Sequence, residues 1–101
     1  MKILVILQSS DELLAYEGLS LAFLLASFDH HVSLQMHGKL VPLLQSQSGC
    51  IYGMLQAIAL YDISHISVSC YADFATLDSA ITALLHEETP DISAFDGVLS
   101  F

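Results

Sequence analysis

The sequence predicts an α/β fold: one small parallel sheet with helices on both faces, a three-layer α/β/α arrangement in which residues 1–101 form a single domain. Three observations carry this. Residues 3–7 are five consecutive branched aliphatics, as in a strand buried on both sides. Short β-branched or alternating segments then take turns with segments of helical period. The turns between them are short, as crossovers between parallel strands require.

The first strand, near residues 2–8, ends in the polar turn Gln8, Ser9, Ser10. Ser10 or Asp11 supplies the N-cap of a helix, and the acidic Asp11 and Glu12 suit its positive end. That helix runs to about Phe28. Its apolar residues Leu13, Leu14, Leu21, Phe23, Leu24, Leu25 and Phe28 cover more than one stripe, so it packs on the sheet and on something else as well. Asp29 and His30 close it. Residues 31–37 alternate polar with apolar, which predicts an edge strand. Gly38 ends that strand, Pro42 fits the first turn of a short helix through Leu44, and residues 45–49 form a loop. Ile51, Met54, Leu55, Ile58 and Ala59 have helical spacing between Cys50 and Leu60. A third strand follows near residues 64–69. Asp73 caps a helix carrying Phe74, Leu77, Ile81, Leu84 and Leu85, and residues 97–101 form the last strand. A sheet order of 2-1-3-4 places the aliphatic first strand at the centre.

Composition narrows the function. The formal charge is −9, with Lys2 and Lys39 as the only strong cations and no arginine. Affinity for nucleic acid rests on neutralising phosphates, so no direct nucleic-acid binding is expected, and anionic membrane surfaces are disfavoured on the same ground. The longest apolar stretch, residues 13–28, is interrupted by Glu17, Gly18 and Ser20 and falls short of the ~20 residues a bilayer needs. The N-terminal segment lacks a small-residue cleavage site and makes a poor secretory signal. Two cysteines without C-x-x-C spacing point to a reducing cytoplasm. With 54% hydrophobic residues and a mean hydropathy of +0.65, a chain this short leaves apolar surface exposed, so a partner interface is expected.

Cys70 is the candidate reactive residue. It ends the third strand just ahead of a helix start, where backbone N–H groups favour a thiolate. Asp73 opposes this, no Lys or Arg lies nearby, and the alternative is a small buried residue closing a strand. Cys50 reads as structural. The histidines His30, His31, His37, His65 and His86 show no metal spacing, so no metal and no cofactor is expected; only His37 sits at the carboxyl edge of the sheet, where open α/β folds bind ligands. No G-x-G-x-x-G, P-loop or G-x-S-x-G occurs. Glu87 and Glu88 form a solvated face.

Several local patterns together resemble the DsrE/DsrF/DsrH-like family, in its TusC/DsrF branch. They are Glu17-Gly18-Leu19 in the first helix, His37-Gly38 followed by an apolar run ending Leu43-Leu44, Leu60-Tyr61-Asp62-Ile63 before the third strand, and Phe95-Asp96-Gly97-Val98-Leu99-Ser100-Phe101, similar to the family's Tyr-Asp-x-Ile-Leu-x-Phe ending. The resemblance implies a DsrE/F-like fold and a cytoplasmic, non-catalytic subunit of a sulfurtransferase complex. Its partners would be TusB- and TusD-like sister subunits in a heterohexamer, together with sulfur-carrier proteins, and the chain alone would form a homo-oligomer. Such complexes relay persulfide sulfur for 2-thiouridine formation in tRNA processing or serve sulfur oxidation. The sulfur-accepting cysteine belongs to a sister chain, at the turn after the third strand. Cys70 falls close to that turn, but the segment after it lacks the Arg-rich helical turn of relatives. Two alternatives stay open: a sulfurtransferase subunit carrying persulfide on Cys70, and a regulatory module binding a small ligand beside His37.

Overall fold

The computed structural model describes residues 1–45, 50–61, 63, 66–68, 71–74, 77 and 79–101. Five parallel strands form the sheet: β1 (Lys2–Leu7), β2 (His31–Met36), β3 (Ile66–Val68), β4 (Leu85–Glu87) and β5 (Gly97–Ser100), in the order β4-β3-β2-β1-β5. The helices are α1 (Glu12–Ser27), α2 (Val41–Leu44), α3 (Cys50–Gln56) and α4 (Ser79–Thr82), with 3₁₀ turns at Gly38–Leu40, Ile58–Tyr61, Tyr71–Phe74 and Ile92–Ala94.

The parallel α/β class agrees with the sequence reading, but the strand order does not. β3 pairs with β2, Leu34 opposite Ile66 and Met36 opposite Val68, so β2 is the middle strand and not an edge. Its alternation has another cause. Ser33 and Gln35 point to the face of the sheet opposite the core, and among the described residues that face carries no α-helix.

Chain direction explains why. The steps β1 to β2, β2 to β3 and β3 to β4 all advance the same way across the sheet, and right-handed crossovers then put every helical connection on one side. Ile3, Val5, Leu7, Leu34, Met36, Ile66, Val68 and Leu85 accordingly form one core with Ala15, Leu19 and Ala22 of α1, Ile51 and Leu55 of α3, and Ile81 of α4. The expected three layers are two among the described residues, with helices on a single face.

The step from β4 to β5 goes backwards over four strand spacings, about 19 Å at ~4.8 Å each, and takes the opposite face. Residues 88–96 make it. Ser67 Oγ donates to Glu88 Oε1 at 3.0 Å where the segment starts, and Asp96 N–H donates to the Lys2 carbonyl at 2.7 Å where it ends. Near that end Ala94 and Phe95 share a cavity with Lys2, His31 and Ser33. Leu4, on the same face, is fully buried. Within the segment the Ser93 hydroxyl and N–H both donate to Asp91, holding its carboxyl below the usual carboxylate range.

A second correction concerns Leu85, expected in a helix. That helix stops at Thr82, and Leu85 pairs with Ile66 to open β4. The exposed His86 and Glu87 then leave this edge polar, a guard against strand-to-strand association.

α1 behaves locally as its sequence dictates. The Asp11 carboxylate accepts the Leu13 N–H at 2.9 Å as N-cap. Asp29, at φ 65°, takes the left-handed conformation that ends the helix, a region short polar side chains tolerate. The sheet-facing stripe is made of Ala15, Gly18, Leu19 and Ala22. Small residues there bring the helix close to the strands and send its large apolar residues elsewhere.

Candidate functional site at the carboxyl edge

The carboxyl ends of β1, β2 and β5 converge on one corner. His37 N–H donates to the Leu7 carbonyl at 2.8 Å, and the Phe101 carbonyl accepts both Gln8 N–H at 2.8 Å and Ser9 N–H at 3.2 Å. Phe101 N–H donates to Ile6 at 2.8 Å. From the core side, α1 closes on the same point. An ideal Cβ at Gly18 would stand 2.5 Å from Leu7 Cδ2 and 3.0 Å from the Phe101 ring, so only glycine fits there without displacement. Three patterns distant in sequence, those of Gly18, His37 and Phe101, therefore meet around Leu7 and Gln8.

His37 caps the 3₁₀ turn that follows it. Its Nδ1 accepts the Lys39 N–H at 3.2 Å, so the neutral ring carries its proton on Nε2. On the helix-free side of the sheet, Ile6, Gln8, Gln35, Met36 and His37 line a cleft of about 160 Å³. The sequence pointed to His37 and the turn after β1. It did not point to Ile6 or Gln35, although the two-residue period of a strand puts Gln35 on the same side as His37 and Ile6 on the same side as Gln8.

Cys70 lies outside the described residues, as do His65 and Asp62. β3 ends at Val68, opposite Met36. Cys50 is the first residue of α3. His30 and His31 line a separate cavity of about 200 Å³ with Asp29 and Tyr61 at the amino end of β2. Among the described residues no group of three His, Cys, Asp or Glu could hold a metal ion, and no helix is long and apolar enough to cross a membrane.

The second feature is a surface. α1 and its C-cap turn Leu13, Leu14, Leu24 and Phe28 outward, at 63%, 39%, 52% and 67% exposure. Elsewhere on the same helix the Phe23 ring stacks on Tyr61 at 4.4 Å, and Leu60, next to Tyr61 in the chain, is 84% exposed. Single exposed apolar residues are ordinary, whereas large contiguous apolar patches characterise interaction surfaces. Its charged neighbours Asp11, Glu12, Glu17 and Asp29 are all acidic.

No protein-family model matches the chain, and no curated protein is significantly similar to it.

Proposed function

We propose that this chain is the interface-forming subunit of a cytoplasmic sulfur-relay complex, a supporting partner of sister subunits that pass persulfide sulfur from protein to protein toward 2-thiolation of the tRNA wobble uridine. The observation that carries the reading is the outward apolar face of α1 with Leu60. A monomer gains nothing from wetting that surface, whereas a subunit covers it. The charge supports the same reading: a protein that hands sulfur to other proteins has no need of phosphate contacts, and −9 without arginine suits that role. The motif resemblance supplies the sulfur chemistry, and in it the transferring thiolate sits on a sister chain.

Cellular 2-thiouridine content tests the proposal. A strain lacking the chain is expected to lose 2-thiouridine, and the same strain carrying Cys70→Ser is expected to regain a near-normal level. Unchanged thiolation in the deletion strain overturns the relay. Loss of thiolation in the Cys70→Ser strain makes Cys70 the carrier, because a hydroxyl cannot hold a persulfide.

A further inference from the structure

One transverse row of side chains crosses the helix-free face of the sheet in register: Ser100, Ile6, Gln35, Ser67 and His86. The return segment of residues 88–96 begins beyond the carboxyl end of β4 and finishes beside the amino end of β1. Among the described residues one corner of this face stays open, over the carboxyl ends of β1 and β2. That corner is the cleft beside His37.

The donor and acceptor set of the cleft is specific. Gln35 is half-buried on the middle strand, and among the described residues neither its side-chain amide nor that of Gln8 has a hydrogen-bond partner in the protein. No side-chain nitrogen or oxygen among the described residues is buried without a partner, so both amides open onto the cleft and are free to pair with a ligand there. His37 adds one N–H at Nε2, since its Nδ1 is occupied by Lys39. Ile6 supplies an apolar wall. Among the described residues no side-chain carboxylate or ammonium lines the cleft, and the net charge of −9 repels anions. The volume, about 160 Å³, equals that of about five waters at ~30 Å³ each, well below the range of drug-sized sites.

From these observations we infer that the cleft is a binding site for a small uncharged cyclic amide, a single ring presenting N–H and C=O side by side. The carboxamide of Gln35 pairs with both groups at once, as glutamine does with a nucleobase edge. His37 Nε2–H donates to the ring carbonyl, and the flat ring lies against Ile6. This assignment is independent of the sulfur relay and stands or falls without it.

Titration of the full chain with 2-pyridone, followed by amide-resolved NMR, tests the site. Saturable shifts are expected at the side-chain amides of Gln8 and Gln35 and at the His37 ring, with N-methyl-2-pyridone, which lacks the ring N–H, binding at least about tenfold more weakly. Gln35→Ala is expected to weaken 2-pyridone by a similar factor. His37→Asn is the second variant: asparagine can still accept the Lys39 N–H as a cap, so the fold is kept while the Nε2–H donor is lost. Weakening by either substitution, with thermal stability retained, supports the site. Absence of saturable shifts at millimolar 2-pyridone overturns it, as does equal binding of the two pyridones or binding indifferent to both substitutions.

Discussion

Replacing Gly18 by valine is expected to lower stability by at least about 3 kcal/mol, the upper part of the range for overpacked cores. The added Cβ alone meets Leu7 Cδ2 at 2.5 Å and the Phe101 ring at 3.0 Å. Leu7 is completely buried between α1 and the sheet, so shifting its methyl disturbs a packed core. Gly18→Ala separates the two opposing effects. Alanine gains roughly 0.5–1 kcal/mol in a helix interior over glycine, whereas the clash costs about 1–3 kcal/mol. The clash wins, and a net loss of about 1–2 kcal/mol lowers the Tm by roughly 5–15 °C in a domain of this size. Trimming the neighbour should restore part of it, so Gly18→Ala is less harmful in a Leu7→Val background. A thermal melt in which Gly18→Ala matches the parent contradicts the close approach of α1 to Leu7 and Phe101.

The largest expected effect on association comes from the outer face of α1. Leu24→Lys with Phe28→Lys replaces two exposed apolar residues, 52% and 67% accessible, with side chains that suit the negative end of a helix. Each change alone should alter the stability of the folded chain by no more than about 0.5 kcal/mol, as at other surface positions. Their effect on assembly is different. Apolar anchors at the centre of an interface cost about 2 kcal/mol or more each when removed, so the pair weakens association by roughly a thousandfold. Sedimentation velocity on the purified chain reads this directly: the parent self-associates through the uncovered face, and the double variant runs as a folded monomer. Identical sedimentation of the two places the interface elsewhere.

The strands were legible where local chemistry decides them. The residue 3–7 run gives β1 because both of its faces are covered, by the core on one side and, at Leu4, by burial on the other. Asp11, Asp29 and Pro42 marked helix ends because capping, left-handed backbone and a first-turn proline are properties of single residues. What escaped depends on distant pairing. Leu84 and Leu85 continue the helical spacing of Ile81, and only the partnership of Leu85 with Ile66 turns the chain into β4. The alternation around Ser33 and Gln35 reads equally as an edge strand or as a central strand with one helix-free face, and the crossover direction settles which. Half of the cleft was legible for the same reason. His37 is marked by the strand end at Gly38, whereas Gln35 and Ile6 join it through the β1–β2 register, in which they are direct partners.

The most direct test of the subunit role is native mass spectrometry of the tagged chain isolated from the cells that produce it. The expected result is a particle containing this chain with two other small chains in equal copy number, a trimer of different subunits or its dimer. A chain recovered only as a monomer at high concentration, with the α1 face uncovered, contradicts it.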